Sequence, residues 1–224
     1  MTIRSIALGL AAAAALSVPA SAAGLVNGGF ETGDLTGWSF SDGFVQVVTS
    51  ADDAIQTPPF GEHFTPTGGA FFAQLTAGVD VGTYSLLSQD FTVSGSAKVS
   101  GDAAFLAFDS APFNDDAYVR IFNSATNEVV FASDVLTVGD FGHTDWTHFT
   151  SGLLSAGTYT LEAGVKNDPG GEGDNSASSE LLVDSLSVAT TGGVPEPSSW
   201  MLLIVGFGGL GTMLRRRRPA AQAG

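Results

Sequence analysis

Hydrophobic and polar residues alternate over short stretches between residues 24 and 193, and no segment there keeps the 3.6-residue period of an amphipathic helix. Gly, Asp, Asn and Ser interrupt these stretches at intervals of roughly ten residues. This pattern predicts strands joined by turns. We predict nine strands, at residues 44–49, 70–75, 84–93, 103–108, 117–122, 128–132, 146–151, 157–166 and 180–188.

Nine short strands within residues 23–193 predict an all-β fold, a single antiparallel β-sandwich. The chain has no cysteine, so its stability must come from the core or from a bound ion. A segment rich in Asn, Gly and Ser, residues 167–179, is predicted to interrupt the last hairpin.

The N-terminus has the features of a secretory signal. Arg4 supplies a positive charge, residues 6–18 are apolar, and the small residues Ala20-Ser21-Ala22 follow Pro19. We predict a signal helix at residues 1–22 with cleavage after Ala22, or else after Ala23. An uncleaved anchor is the alternative, but the apolar run is short for a membrane span.

A second apolar segment lies near the C-terminus, at residues 200–214, and precedes four arginines and the short tail 219–224. As a helix it would be about 22 Å long, against a hydrocarbon core of about 30 Å. Arginines can snorkel and Trp200 can lie at the opposite interface, so we predict a transmembrane helix with its arginines in the cytoplasm. Pro195 and Pro197 keep Glu196 in an extended segment.

Residues 194–218 resemble the PEP-CTERM sorting signal, in the PEPxxW form that is also labelled an ice-binding protein C-terminal domain. The residues that carry the resemblance are Pro195, Glu196, Pro197, Trp200, Arg215, Arg216, Arg217 and Arg218. Met201 stands where that form usually has alanine. The resemblance implies recognition by an exosortase, a membrane cysteine protease-transpeptidase that cuts near the motif. It also implies an inner-membrane intermediate, then the cell surface or extracellular matrix of a Gram-negative bacterium. A permanent membrane anchor is the alternative.

Charge is distributed unevenly along the chain. Residues 23–193 contain 22 of the 23 acidic residues and three basic ones, Lys98, Arg120 and Lys166, which gives a net charge of −19. Such a surface repels nucleic acid, so we exclude it as a partner. Clustered carboxylates suit calcium, although they also serve solubility.

Two segments of the body resemble the ends of galactose-binding-like jelly rolls, which include several carbohydrate-binding modules. Residues 27–33 with Gly37-Trp38 are similar to their opening, and residues 182–188 to their closing strand. The resemblance implies a jelly roll and a structural calcium ion shared by Glu31 and Asp184, with backbone oxygen near Gly29. Exposed carboxylates at strand ends are the alternative. Asn114, Asp115 and Asp116 are a second possible calcium cradle, or an Asx-type turn.

The sequence offers little to support catalysis. It has three histidines, His63, His143 and His148, and no nucleophile motif. Strand alternation would place His143 and His148 on opposite faces of one strand, which argues against a shared zinc ion. We therefore predict a protein that is not an enzyme.

Aromatic rings can serve as stacking platforms for sugars. We expect Phe60 and Phe64, in the Pro- and Gly-rich loop 57–69, to be exposed rings; a loop packed down by its own aromatics is the equal alternative. Trp38 and Trp146 are expected in the core, and Tyr118 is a further available ring. Two functions stay open: an exosortase-sorted surface or matrix protein with a non-enzymatic β-sandwich, or a calcium-stabilised carbohydrate-binding module for exopolysaccharide or another glycan.

Overall fold

The computed structural model describes residues 24–41, 44–54, 61–78, 82–168 and 178–191. All of these residues belong to one compact unit, and residues 1–23 and 192–224 lie outside the described residues. The predicted signal helix, sorting motif and membrane helix all lie outside the described residues. Within the described ranges, no helix is long and apolar enough to cross a membrane.

Twelve strands and one short helix make up the described fold. They are β1 (Ser39–Ser41), β2 (Phe44–Val48), β3 (Ala51–Asp52), β4 (His63–Phe64), β5 (Phe72–Thr76), β6 (Ser85–Val93), β7 (Ala97–Leu106), β8 (Asp116–Phe122), β9 (Asn127–Asp134), α1 (Val135–Val138), β10 (Thr147–Thr150), β11 (Gly157–Lys166) and β12 (Glu180–Thr190).

Ten of these strands form two five-stranded antiparallel sheets. Sheet A has the order β1-β6-β11-β8-β9 and sheet B the order β10-β7-β12-β5-β2, while β3 and β4 form a separate hairpin. From β5 to β12 the chain crosses repeatedly between the sheets, and the pairings β6-β11-β8-β9 and β10-β7-β12-β5 are those of a jelly roll. The predicted all-β jelly roll is confirmed.

The main core lies between the two sheets because each strand turns alternate side chains inward. Along β8, for example, Ala117, Val119 and Ile121 are fully or almost fully buried. A second, smaller cluster lies on the outer face of sheet B, under the β3–β4 hairpin. Its buried members are Ala51, Phe64, Phe72, Ala104, Leu106 and Leu182, with Trp146 packed against them.

All nine predicted strands are present, with two corrections. Strand β7 begins at Ala97, six residues before the predicted start at residue 103. Its first half alternates the buried Ala97 and Val99 with polar outward residues, and then has Gly101, where a Cβ would lie 2.5 Å from Leu186. The prediction missed this short alternation. The predicted last hairpin is wrong because β11 lies in sheet A and β12 in sheet B.

Candidate functional site

The outer face of sheet A carries a group of aromatic and charged side chains that we call the open face. Alternation along β8 turns Asp116, Tyr118, Arg120 and Phe122 outward, and all four are partly exposed. On the neighbouring strand β11, Glu162 pairs with Arg120 and Lys166 pairs with Asp116. The open face therefore holds two of the three basic residues of the acidic body.

Tyr118 leans across the sheet over a glycine. Gly164 is its partner on β11, and a Cβ there would lie 2.9 Å from the Tyr118 ring and 3.0 Å from Leu86. The absence of a side chain at Gly164 leaves this space to the aromatic ring. Tyr84 packs against Tyr118 edge to face, with ring centroids 4.9 Å apart and an interplanar angle of 72°.

Glu162 links the aromatic and charged groups. Its Oε1 accepts hydrogen bonds from the Tyr118 hydroxyl at 2.7 Å and from Arg120 Nε at 2.9 Å, and Arg120 Nη2 lies 2.7 Å away. The Arg120 guanidinium also lies 5.1 Å from the Tyr118 ring centroid and 4.6 Å from that of Phe122. Both distances are within the range of cation–π attraction.

A second set repeats this arrangement. Tyr84 donates a hydrogen bond to Asp116, and Lys166 Nζ lies 3.0 Å from Asp116 Oδ2 and 4.9 Å from the Tyr84 ring centroid. Each tyrosine is thus joined to one carboxylate and one cation. The rings and their polar partners are held in place by the sheet and by one another.

Both tyrosines remain phenols at neutral pH. Burial raises the pKa of Tyr84 and of Tyr118, and hydrogen bonds to the Asp116 and Glu162 carboxylates raise each pKa further. The hydroxyls are therefore donors to these carboxylates.

The open face ends in a cleft of about 460 Å³ along the β8–β9 edge. It is lined by Tyr84, Asp116, Tyr118 and Arg120 of the open face. The other lining residues are Ala117, Asn127, Val129, Ala132, Ser133, Asp134 and Thr137. Apolar rings, hydroxyls, amides and charges lie together there, a combination suited to a polar ring-shaped ligand. The sequence signal was the alternation of aromatic and charged residues in Asp116–Phe122, but only pairing with β11 places Glu162 and Lys166 beside them.

Glu31 and Asp184, the predicted calcium ligands, both contact the segment 67–71. Glu31 accepts hydrogen bonds from the Ala70 and Phe71 amides at 3.0 and 3.1 Å. Asp184 Oδ2 accepts from the Thr67 and Gly68 amides at 2.8 and 3.0 Å. Burial raises the pKa of the Asp184 carboxyl, although these hydrogen bonds oppose the shift.

The two carboxylates therefore meet amide hydrogens, which cannot be calcium ligands. Gly29 lies beside Glu31, since a Cβ there would be 3.8 Å from Glu31 Cγ. As placed, the two carboxylates hold the 67–71 segment through its amides. The shared calcium ion stays a prediction.

Asn114, Asp115 and Asp116 point to three different sets of partners. Asn114 Oδ1 accepts the Leu136 amide at 2.9 Å, and Asp116 belongs to the open face. The buried Asp115 accepts the Asp168 amide and the Ser179 hydroxyl at 2.8 and 2.6 Å. Burial raises the pKa of Asp115. A calcium cradle here also stays a prediction.

Phe64 is not an exposed ring; that prediction is wrong. Its side chain is buried in the second cluster, with the Trp146 ring centroid 6.2 Å away. Phe64 thus packs its segment down on the body, which agrees with the alternative stated for the loop. Phe60 lies outside the described residues. Trp38 is buried against Phe30, as predicted, whereas Trp146 is only partly buried.

The three histidines occupy three separate places. His63 and His148 contact Asp52 and Asp102, at 2.5 and 2.8 Å. His143 lies before β10 and contacts Asp53 and Glu62, at 3.0 and 3.3 Å. The sequence pattern suggested that His143 and His148 share one strand. They do not, because His143 precedes β10 and His148 lies within it.

Comparison with known families adds the sorting signal. Residues 193–218 match the PEP-CTERM protein-sorting motif. The match contains every predicted sorting residue, from Pro195 to Arg218, and indicates an exported protein sorted through its C-terminus. No curated protein matches the sequence.

Several solved structures are similar to this chain. TmCBM61, solved in complex with β-1,4-galactotriose, is 15% identical with a TM-score of 0.49, over 74% of this chain and 96% of that one. The Family 16 Carbohydrate Binding Module-2 is 15% identical with a TM-score of 0.41, over 74% and 98%. The CBM22-1 xylan-binding domain of Paenibacillus barcinonensis Xyn10C is 17% identical with a TM-score of 0.40, over 72% and 90%. Such similarities concern the fold alone.

Proposed function

We propose that this protein is an exported, non-catalytic binding module that recognises extracellular carbohydrate through the open face of sheet A. The observation that carries this proposal is the pair of rings, Tyr84 and Tyr118, fixed edge to face beside two carboxylate–cation pairs. A sugar has apolar C–H faces and a rim of hydroxyls. Aromatic rings can pack against the C–H faces, and fixed hydrogen-bond donors and acceptors can bind the hydroxyls.

The charges of the open face favour a neutral glycan over a strongly anionic one. Arg120 and Lys166 are already paired with Glu162 and Asp116, so their positive charge is compensated. The body as a whole has a net charge of −19, which would repel a polyanion. Exopolysaccharide of the producing cell is the ligand we propose first, because the sorting signal sends the protein to the cell exterior.

The test is affinity electrophoresis of the full chain in gels containing the producer's own exopolysaccharide or defined neutral glycans. Tyr118→Ala should weaken retention about tenfold, about 1.4 kcal/mol, because it removes a ring and a hydroxyl. Tyr118→Phe should weaken retention less, because it keeps the ring and removes only the hydroxyl. The control is Phe44→Ala, which removes an exposed ring at the edge of sheet B. Equal retention of the Tyr118→Ala and wild-type proteins would refute the open face as the site.

We also propose that an exosortase cleaves the chain near Pro195-Glu196-Pro197 after an inner-membrane stage. The match over residues 193–218 supports this proposal. Replacement of the three residues by alanine should leave uncleaved precursor in the inner membrane, detected by immunoblotting of fractions. Mass spectrometry of released protein that still contains Arg215 to Arg218 would contradict cleavage.

A structural calcium ion at Gly29, Glu31 and Asp184 is a separate proposal. Its support is that both carboxylates converge on one short loop segment. Glycan binding does not depend on it, because the open face lies on the other sheet.

A further inference from the structure

The outer face of sheet B holds a second group of ligand-type side chains, from which we infer a binding site for a divalent transition-metal ion. Glu62, His143 and Asp145 each bring one ligand atom to within 4.8 Å of the other two. Glu62 and Asp145 are exposed, whereas the His143 side chain is mostly enclosed. None of the three belongs to the open face or to the predicted calcium sites.

The backbone fixes the position of Glu62. Across the β3–β4 hairpin, the Asp53 amide donates to the Glu62 carbonyl at 3.2 Å, and the Glu62 amide donates to Asp53 Oδ2 at 2.9 Å. Gly61 makes this approach possible, since a Cβ there would lie 1.7 Å from Asp53 Oδ1. The hairpin thus presents Glu62 beside a buried carboxylate.

His143 is held from the opposite side. Its backbone pairs with Leu106 of β7, and the Phe64 ring packs edge to face on the imidazole with centroids 5.5 Å apart. Asp145 follows two residues later, so the segment before β10 delivers two ligands to the hairpin.

Asp53 gives the imidazole an orientation suited to a metal ligand. Its buried Oδ2 lies 3.0 Å from His143 Nδ1, while Nε2 lies 3.3 Å from Glu62 Oε2. Histidine ligands commonly direct one ring nitrogen to a carboxylate and the other to the metal. Asp53 lies at ion-pair distance from Nδ1 without a hydrogen bond to it, so we assign it a positioning role through charge, while Nε2 faces the Glu62 carboxylate.

The donor set identifies the class of ion. One imidazole and two carboxylates suit zinc or a similar first-row ion, whereas calcium takes oxygen ligands. Water would complete the shell, because Glu62 and Asp145 lie at the surface. Such an ion would join the hairpin to the segment before β10 across the second hydrophobic cluster.

The experiment uses the full chain in detergent, stripped with chelator and refilled with excess Ca²⁺ to occupy carboxylate-only sites. Zn²⁺ binding is measured by calorimetry, and Co²⁺ binding by its visible absorption. We expect one Zn²⁺ ion per chain. Glu62→Gln with Asp145→Asn should weaken binding at least tenfold, and Asp53→Asn about 10–100-fold.

His63→Gln is the matched control. His63 is on the same hairpin but contacts Asp52, outside the group, so its replacement should leave Zn²⁺ affinity unchanged. We substitute Glu62 and Asp145 and leave His143 in place, because His143 is mostly enclosed and its replacement would also disturb packing. Glu62 and Asp145 are exposed, so the doubly substituted protein should fold normally. No Zn²⁺ binding in excess Ca²⁺, or equal affinity in wild type and that variant, would overturn the site. His143 would then only form ion pairs.

Discussion

The two sheets of the sandwich have outer faces that meet water in different ways. On sheet A, alternate residues of β8 and β11 are aromatic or charged and form the open face. On sheet B, the equivalent positions of β5, β7 and β12 include Phe72, Leu106 and Leu182, buried beneath the β3–β4 hairpin and Trp146. The same period-2 pattern thus gives a candidate binding surface on one side and a second core on the other. Whether another segment covers a face decides which outcome applies.

The largest expected effect is on the covered face. Phe64→Ala should lower the free energy of unfolding by about 3–5 kcal/mol, because it empties a buried site between Phe72, Trp146 and His143. Urea denaturation measures the change. Phe44→Ala, which truncates an exposed ring on β2, should cost less than about 0.5 kcal/mol. Similar losses in both variants would mean that the hairpin does not enclose Phe64.

A smaller loss of stability is expected where Asp184 and Glu31 hold the segment 67–71 through hydrogen bonds. Asp184→Ala removes the acceptor for the Thr67 and Gly68 amides and should cost about 1–3 kcal/mol. Glu31→Ala should act similarly through Ala70. Thermal melts in Ca²⁺ and in EDTA then test the predicted ion.

If calcium is bound, EDTA should lower the melting temperature of the wild type and leave Asp184→Ala unaffected. Asp90→Ala, on the other sheet, serves as the control and should respond to EDTA as the wild type does. An EDTA-insensitive wild type would remove the ion and leave the loop hydrogen bonds as the whole role of both carboxylates.

On the open face, Gly164→Ala should weaken glycan binding about fivefold, about 1 kcal/mol. A Cβ 2.9 Å from the Tyr118 ring must displace it, while the main core beneath is untouched. Gly95→Ala is the control, since nothing lies within 4 Å of its added Cβ. Retention in the glycan gel equal to wild type would show that the position of the Tyr118 ring is unimportant.

The smallest expected effect is on the pH dependence of folding stability, which should have opposite signs at Glu180 on sheet B and at Asp134 beside the open face. Burial on sheet B raises the pKa of Glu180, although hydrogen bonds from Gln74 and Thr76 oppose the shift. The folded chain therefore binds more protons than the unfolded one, and this contribution to stability falls as pH rises through the folded pKa. The stability of the Glu180→Gln variant relative to the wild type should therefore rise as the pH increases from acid to neutral.

Asp134, beside the open-face cleft, should behave in the reverse way. The hydrogen bond from Thr137 lowers its pKa, so its contribution is present above the ordinary value and is lost as pH falls through the folded pKa. The loss of stability caused by Asp134→Asn, relative to the wild type, should therefore be largest at neutral pH. Denaturant midpoints between pH 3 and 7 measure both trends; parallel trends in the two variants would contradict the different environments of the faces.

Local pattern predicted much of this molecule. Alternation located all nine main strands, and the order of proline, apolar residues and arginine at the C-terminus identified the sorting motif, because both signals lie between near neighbours in the chain. It missed β1, β3 and β4, whose two or three residues each are too few to show a period. It also placed Phe64 in solvent, since burial there depends on Trp146, distant in sequence.

The sequence by itself determined an acidic, cysteine-free β-sandwich with a sorting tail, because composition and periodicity are properties of the chain alone. Only the tertiary structure decided which side chains meet: Tyr118 with Glu162, Asp184 with the 67–71 segment, and His143 with Glu62. These partners are separated by tens of residues or more, and strand pairing and loop packing bring them together. Side-chain chemistry at such a site depends on distance in space, which no local pattern encodes.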